Sequence, residues 1–353
     1  MSQRFIVTTL AIDDPDVRPA HYPQIPYARA MERRLIYWRC AYVFFKSSLS
    51  VNQDARHILV TNDTQAALVD GEDIRQHIQR LGAEICVLPF DDFKPTAFQS
   101  TIFRNNFYKL AAMKYMANAY EGNICLFDSD VIFLSPWPQA TTGISLYKAF
   151  LRPDTQREPT GISSIELASM YRLLDKGFEI ERADWCGGEF IEGDHISLRL
   201  FMGRALELFG QWQGLFDSSL HRFSNGSSIF DNDEFLLSRV ASEFSHRFTE
   251  HLCRVWTNES GKGDFEAMKY AALHLPNEKL TGFAGLFDYF VFEGRPVERN
   301  ILLSWCGIPR RDFVYVPRNK SLRAKRLLIR SAKRILPRSV YNAIRYCFGR
   351  PPI

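Results

Sequence analysis

Two aspartates lie directly after an apolar run near the middle of the chain. Residues 124–127 read Ile-Cys-Leu-Phe, which is typical of a buried strand, and Asp128 and Asp130 follow with one serine between them. Side chains two residues apart in extended backbone share a face, so both carboxylates can converge at the strand end. Two such charges without a partner are costly, and a hard divalent cation with oxygen ligands relieves their repulsion. The spacing therefore favours an Mg²⁺ or Mn²⁺ site that leaves positions for phosphate oxygens, and the structural alternative is a pair of exposed aspartates in a β-turn.

The pattern of apolar residues predicts an α/β chain whose elements position these aspartates. Short runs rich in β-branched and aromatic residues alternate with helical patterns, which is typical of βαβ units and a mainly parallel sheet. We predict strands over residues 5–10, 57–61, 84–89, 123–127 and 144–150. We predict helices over residues 27–45, 64–81 (capped by Asn62), 103–120, 163–174, 195–212 and 231–244. Ligands of such sheets bind beyond the carboxyl ends of the strands, which is where the two aspartates lie.

The segment around the aspartates, residues 105–137, resembles the core of the GT-A fold glycosyltransferases, whose apolar strand ends in Asp-x-Asp. The likeness is greatest to the retaining families 8 and 6 of these nucleotide-sugar enzymes. Three later segments agree in order: residues 186–191 are similar to the strand beneath the donor sugar, residues 232–238 to the helix start that faces it, and residues 273–279 to the segment with a late metal-binding histidine. The resemblance implies a GT-A (Rossmann-like) fold with a mixed, mainly parallel sheet flanked by helices.

The resemblance also implies a role for each matching residue. The metal ligands for Mn²⁺ or Mg²⁺ would be Asp128, Asp130 and His274. The donor-binding residues would be Thr8 and Thr9 near the base and ribose, Lys109, Asp128 and Lys279 near the diphosphate, and Gly187, Gly188 and Glu189 beneath the sugar. The catalytic residues would be Asp233, bonded to sugar hydroxyls, and Glu234, which stabilises or attacks an oxocarbenium-like centre. The chain departs from family 8 in lacking the glycine and Pro-Trp after the late histidine, and in carrying a lysine where that family has an arginine.

Several of these residues also have a purely structural interpretation. Thr8 and Thr9 are β-branched residues that suit strand packing, and the glycine pair suits a bulge or a turn. Asp233 and Glu234 fit the acidic start of a helix, where the macrodipole favours negative charge. His274 lies in an apolar run and fits a satisfied core histidine.

The resemblance therefore implies a metal-dependent hexosyltransferase that moves a sugar, with retention of configuration, from a nucleotide-diphosphate donor such as a UDP-hexose. We expect its acceptor to be a glycan or a lipid-linked acceptor in bacterial surface polysaccharide synthesis. Two other functions stay open: a non-catalytic binding protein with the same fold, and a haloacid-dehalogenase-type phosphatase with Asp128 as nucleophile and Asp130 as acid and base. In such phosphatases the aspartates normally open the domain, whereas three predicted βα units precede them here.

Charge is distributed unevenly along the 353 residues, of which 46% are hydrophobic and 24% charged. That balance is typical of a folded protein with a sizeable core and excludes a disordered chain. Of the 44 basic residues, eleven lie between residues 318 and 350, where there is no acidic residue. Apolar residues recur among them at helical spacing, which predicts a basic amphipathic helical tail over residues 317–353 that binds an anionic membrane surface through residues 318–350. A helix docked on the body is the alternative, and nucleic acid is not an expected partner.

The rest of the sequence predicts one catalytic domain over residues 1–316, with a nucleotide-binding half (1–150) and an acceptor and sugar half (151–316). Its cysteines form no close pairs, which favours reduced thiols in a cytosolic compartment. No run reaches the roughly 18 apolar residues that a membrane-spanning helix needs. We therefore expect a cytoplasmic protein that is peripheral at the inner face of the cell membrane.

Overall fold

The computed structural model describes residues 3–13, 20–25, 30–94, 103–138, 142–149, 161–215, 221–257 and 269–307. The strands of this part of the chain are β1 (Arg4–Leu10), β2 (Arg56–Thr61), β3 (Leu68–Val69), β4 (Glu72–Asp73), β5 (Glu84–Val87), β6 (Asn123–Phe127), β7 (Val131–Phe133), β8 (Ile144–Lys148), β9 (Cys186–Asp194), β10 (His246–Phe248), β11 (Leu252–Arg254) and β12 (Ala272–His274). Its α-helices are α1 (Ala30–Leu49), α2 (Ile74–Arg80), α3 (Tyr108–Ala119), α4 (Ser164–Leu174), α5 (His195–Leu215), α6 (Asp233–Ala241), α7 (Ala284–Val291) and α8 (Arg299–Trp305). The predicted tail over residues 317–353 lies outside the described residues.

Seven of the described strands form a central sheet in the order β10-β8-β9-β6-β1-β2-β5. They pair in parallel except for β9, which runs antiparallel to both β6 and β8. Both β9 and β10 come from the second half of the chain, so that half adds strands to the sheet that the first half begins. The predicted α/β architecture, a mixed and mainly parallel sheet flanked by helices, is confirmed and is compatible with a Rossmann-like fold.

Alternate side chains of the buried strands face two separate layers of the core. In β1, Phe5 and Val7 belong to the layer that includes α3, α5 and α6, while Ile6 and Leu10 belong to the layer that includes α1 and α7. This two-residue alternation is what a strand buried on both faces requires. Ligands therefore have access to the sheet at its strand ends and not at its faces.

A second, three-stranded sheet joins segments that are far apart in sequence. Strand β12 pairs antiparallel with β7 and parallel with β11. The register puts His274 opposite Val131 on one side and opposite Arg254 on the other. Because β7 follows the end of β6 after a short link that contains both aspartates, this sheet brings His274 and Arg254 to the carboxyl end of β6.

The helix predicted over residues 64–81 is wrong in its first part. A hairpin of β3 and β4 occupies residues 68–73, with Asp70 and Gly71 in its turn at φ of 50° and 88°. Asp-Gly is a pair favoured by two-residue hairpin turns, which need positive φ at both positions. The local turn therefore overrides the longer helical pattern.

The cap predicted for that helix is also wrong. Helix α2 begins at Ile74, and its cap is Asp73, whose carboxylate accepts a hydrogen bond from the backbone N–H of Arg75. The side chain of Asn62 instead accepts from the backbone N–H of Ile12 and donates to its carbonyl, at 2.8 and 3.1 Å. Asn62 thus ties the end of β2 to the end of β1.

The longest described helices are α1 and α5, of 20 and 21 residues. Neither these nor the other helices of the described ranges combine the length and the apolar character that crossing a bilayer requires.

Candidate metal and carboxylate site

A cavity of about 240 Å³ lies where the carboxyl ends of β1 and β6 meet the second sheet and the start of α6. Many of the predicted site residues line it, namely Thr9, Lys109, Asp128, Asp130, Asp233, Glu234, His274 and Lys279. Three aromatic residues form another part of the wall, with the ring of Tyr22 in edge contact with Tyr37 and Phe103 at centroid distances of 5.6 and 5.9 Å. The cavity therefore combines a strongly charged wall with an aromatic one.

Asp128, Asp130 and His274 form a cluster that can hold a metal ion, since one ligand atom from each lies within 4.8 Å of the others. The Nε2 atom of His274 is 3.2 Å from Oδ2 of Asp130 and 3.6 Å from Oδ2 of Asp128. The backbone N–H of Leu275 donates to the carbonyl of Asp130 at 2.9 Å, which continues the pairing of β7 and β12 up to the cluster. Pairing of the second sheet thus assembles the predicted ligand set.

Two lysines neutralise the aspartates of this cluster. Lys279 donates to Oδ2 of Asp130, and Lys109 donates to Oδ1 of Asp128 at 2.8 Å. Burial opposes the charge of Asp130, but Lys279 and the nearby imidazole hold the pKa of its carboxyl well below the usual value. Burial also opposes the charge of Lys109, and Asp128 and Asp233 nevertheless raise its pKa above the usual value. Both Asp130 and Lys109 are therefore charged at neutral pH.

His274 lies between carboxylates on both sides of its ring. While Nε2 faces the two aspartates, Nδ1 lies 3.5 Å from Oε1 of Glu189. Burial by itself lowers the pKa of the imidazole, but Asp130 and Glu189 raise it to about 9. Nδ1 is buried, and no described residue makes a well-aligned hydrogen bond to it. Because a metal-binding histidine generally donates its second ring N–H to a carboxylate, Glu189 stands where that partner is needed and the residues fit a divalent cation.

Asp233 is the most buried of the predicted acids, with no exposed surface. It begins α6, which Asn232 caps by accepting a hydrogen bond from the backbone N–H of Glu234. Lys109 Nζ lies 3.3 Å from its Oδ2, yet neither carboxylate oxygen receives a well-aligned hydrogen bond from a described residue. Burial raises the pKa of Asp233 to about 7, and Lys109 opposes that rise only in part. Asp233 can therefore be either protonated or ionised near neutral pH.

Glu234 is held by three hydrogen-bond donors. Its Oε2 accepts from Nε1 of Trp185 at 2.8 Å. Its Oε1 accepts from the backbone N–H of Gly188 at 3.2 Å and from Nη2 of Arg254 at 2.6 Å. The residue still lines the cavity. A fixed negative charge at this position can stabilise positive charge that develops beside it.

The glycine pair in β9 makes room for these side chains. A Cβ at Gly188 would lie 2.6 Å from Oδ2 of Asp233, and one at Gly187 would lie 2.7 Å from a ring carbon of Tyr147. Contacts this short would force a shift, so close packing inside the protein accounts for both glycines. The predicted reason was an approach of the sugar to the backbone, but neither glycine is part of the cavity wall.

The remaining predicted donor-binding residues divide between the cavity and the core. Thr9 lines the cavity, whereas Thr8 is fully buried and donates its hydroxyl to the carbonyl of Phe127 at 2.9 Å. Glu189 is buried as well, and burial raises its pKa while Arg254 and the nearby imidazole lower it to about 2. Thr8 and Glu189 therefore lie behind the cavity wall, and these positions do not support the predicted contacts with the ribose and the sugar.

Sequence analysis missed Arg254, which lines the cavity and bonds both Glu189 and Glu234. It ends a strand of three residues outside any motif, so its local sequence contains no signal. Tyr37 was missed for a different reason, because the helical pattern of α1 accounts for it by packing alone.

Comparisons with known proteins do not assign the chain to a family. No protein-family model matches it, and no curated protein matches it at a significant level. Its function is therefore inferred from the cavity, the Asp-Asp-His cluster and the two acids that begin α6.

Proposed function

We propose that this chain is a metal-dependent glycosyltransferase that moves a hexose from a nucleotide-diphosphate donor, with a UDP-hexose as the first candidate, to a glycan or lipid-linked acceptor. The observation that carries the proposal is that one cavity combines the Asp-Asp-His cluster, the cationic Lys109 and Lys279, and the acids Asp233 and Glu234. A nucleotide sugar has complementary charges, since an anionic diphosphate adjoins a sugar carbon that becomes positive during transfer. The resemblance of residues 105–137 to GT-A fold enzymes supports the same function.

The metal-ligand end of the cavity suits a diphosphate. Asp128, Asp130 and His274 would hold a divalent cation, Mn²⁺ or Mg²⁺, which when bound supplies Lewis-acid stabilisation to a departing nucleoside diphosphate. Lys109 and Lys279 bond the same aspartates, and with these carboxylates on a cation instead, the two ammonium groups could bond phosphate oxygens at this end.

The start of α6 suits the sugar. The fixed carboxylate of Glu234 can stabilise an oxocarbenium-like centre, and Asp233, with a pKa of about 7, can accept a hydrogen bond from a sugar hydroxyl or donate one to it. Retention of configuration follows from the resemblance and is part of the proposal.

We further propose that the acceptor is lipid-linked and that the reaction serves bacterial surface polysaccharide synthesis at the inner face of the cell membrane. The basic residues between 318 and 350 support this, because each basic residue held near an anionic surface contributes roughly 1 kcal/mol. They lie outside the described part of the chain, so this support comes from the sequence alone.

The experiment is to measure release of nucleoside diphosphate from a panel of nucleotide sugars by the purified full-length protein, with and without Mn²⁺ or Mg²⁺. We expect at least one UDP-hexose to be turned over only when metal is present. Asp128→Asn should lose nearly all of this release and still fold, because the Asp128 side chain is 25% exposed. Asp92→Asn is the matched control, since Asp92 also pairs with a lysine, Lys114, but away from the cavity. Absence of release from every donor with either metal would overturn the proposal.

Two further measurements on the same purified protein, phosphate release and ligand binding, distinguish the two alternative functions. A phosphatase that uses Asp128 as nucleophile would release inorganic phosphate from phosphomonoesters, and its Asp128→Asn variant would lose that reaction. A non-catalytic binding protein would bind a nucleotide sugar in calorimetry and release no diphosphate.

A further inference from the structure

Arg254 lies at the junction of the metal-ligand cluster and Glu234. It ends β11, and the parallel pairing with β12 puts it in register with His274. The backbone N–H of Val255 donates to the carbonyl of His274 at 2.8 Å, so the pairing continues past Arg254. The backbone N–H of Arg254 donates to the hydroxyl of Tyr147 at 3.2 Å. Its main chain is therefore held on both sides.

The guanidinium of Arg254 joins two carboxylates. Its Nε and Nη2 atoms donate to Oε1 and Oε2 of Glu189 at 2.6 and 2.5 Å. Nη2 also donates to Oε1 of Glu234 at 2.6 Å. This bidentate arrangement needs the planar fork of an arginine, which the single ammonium of a lysine does not reproduce.

Glu189 continues the contacts from Arg254 to the metal ligands. Its Oε1 atom, which accepts from Arg254, also faces Nδ1 of His274 at 3.5 Å. A carboxylate behind a metal-binding histidine determines the orientation of the ring and which nitrogen carries the proton. Charged groups therefore follow one another at distances of 3.6 Å or less from the two aspartates through His274, Glu189 and Arg254 to Glu234, and the step from His274 to Glu189 is a close approach of 3.5 Å without an aligned hydrogen bond.

We infer that Arg254 is a positioning residue that couples the metal-ligand cluster to Glu234. Through Glu189 it sets the orientation of His274, and through Nη2 it holds the carboxylate of Glu234 beside the cavity. The inference rests on the proposed function and adds to it a residue that acts on the site through other residues. Loss of the fork would remove a charged hydrogen bond from both carboxylates together, because a single guanidinium makes these bonds, and of its described donors Glu234 would keep only Trp185 and Gly188.

The experiment compares Arg254→Lys with the wild type in two measurements on the full-length protein. The first is Mn²⁺ binding by calorimetry in the absence of any donor, and the second is nucleoside diphosphate release in the presence of Mn²⁺. Because loss of a residue that orients a metal ligand costs about 10–100-fold, we expect Mn²⁺ affinity and turnover each to fall at least about tenfold while the donor KM stays within about twofold. Glu189→Gln, which keeps the shape of the side chain, should reproduce the loss of Mn²⁺ affinity.

Arg4→Lys is the matched control, because Arg4 is likewise a buried arginine paired with a carboxylate, that of Asp54, but lies at the opposite end of β1 from the cavity. Thermal unfolding of all variants shows whether a loss of Mn²⁺ affinity or turnover only reflects a smaller folded fraction. If Arg4→Lys loses Mn²⁺ affinity and turnover as much as Arg254→Lys does, the inference is overturned. A raised donor KM with unchanged turnover would also overturn it, since Arg254 would then bind the donor directly.

The two measurements separate this inference from the proposed function. We expect Arg254→Lys to lose Mn²⁺ affinity roughly tenfold, as when the hydrogen-bond partner of a metal-binding histidine is removed. A Mn²⁺ affinity within about twofold of the wild type would overturn the inference, whatever the turnover. A wild type that binds Mn²⁺ but releases no diphosphate from any donor would overturn the proposed function, and Mn²⁺ binding would still decide whether Arg254 orients His274. If the wild type binds no Mn²⁺, the inference that Arg254 couples the metal-ligand cluster to Glu234 is overturned as well.

Discussion

Replacing Gly188 with alanine should perturb the packing behind the cavity, and its effect on the free energy of unfolding can be measured without any substrate. The added Cβ would lie 2.6 Å from Oδ2 and 3.1 Å from Cγ of Asp233, which has no exposed surface. The carbonyl of Gly188 also accepts a hydrogen bond from Lys109 at 2.7 Å, so a retreat of the strand would stretch that bond. Either the acid or the strand therefore has to shift.

The size of the effect follows from two opposing contributions. Inserting a methyl group into a packed interior typically costs about 1–3 kcal/mol. Gly188 does not have a positive φ, so its backbone conformation is open to alanine, which recovers about 0.4–1 kcal/mol by restricting the unfolded chain. We expect a net loss of about 1–2 kcal/mol in the free energy of unfolding.

Urea unfolding at neutral pH measures this loss. Gly203→Ala in α5 is the matched control, because among the described residues no atom outside its chain neighbours and the nearby backbone of its own helix lies within 4 Å of the added Cβ. Removing a glycine from a helix interior should stabilise that variant by up to about 1 kcal/mol. If Gly188→Ala proves as stable as Gly203→Ala, Asp233 does not pack against β9 as described and the reasoning is refuted.

Three further predictions concern single charged groups and the tail. Glu234→Gln should lower turnover of a nucleotide sugar by at least about tenfold with little change in donor KM, because the charge of Glu234 acts on the transition state. Steady-state kinetics measure this, and an unchanged turnover number would leave Glu234 only its structural role in α6. Deleting residues 318–353 should abolish co-sedimentation with anionic vesicles and spare transfer to a soluble acceptor. Vesicle binding by the full chain should weaken as salt is added, because salt screens charges beyond about 8 Å at physiological ionic strength. Full-length protein that stays in the supernatant with anionic vesicles at low salt would contradict the membrane prediction. His57 is buried beside Ser48, and burial lowers its pKa from 6.5 to about 4. The unfolded chain takes up a proton on this ring at about pH 6.5, whereas the folded protein does so only at about pH 4. The free energy of unfolding is therefore unaffected by this histidine above pH 6.5 and falls by about 3 kcal/mol in total as the pH drops to 4. Urea titrations of His57→Gln should show a shallower dependence on pH over that range, and equal slopes would show that the ring is not shielded from water.

The strands that carry the candidate site could be predicted from the sequence. The ends of β1, β2 and β6 agree with prediction to within one residue, because a strand buried on both faces needs an unbroken apolar run. Asp128 and Asp130 follow β6 along the chain, so their place at the end of a strand follows from covalent connection alone. The helix over residues 64–81 was misjudged because a two-residue turn at Asp70 overrides a longer pattern of weak helical preference.

The surroundings of the aspartates were decided by the tertiary structure. His274 reaches Asp130 only because β12 pairs with β7, and Arg254 reaches Glu189 only because β11 pairs with β12. Strands of three residues have no usable period, and whether distant segments pair depends on the packing of the whole molecule. The same holds for the acid that begins α6: the pKa of Asp233 is near 7 because β9, Lys109 and the cavity wall bury it together, and its neighbours along the chain do not predict that burial.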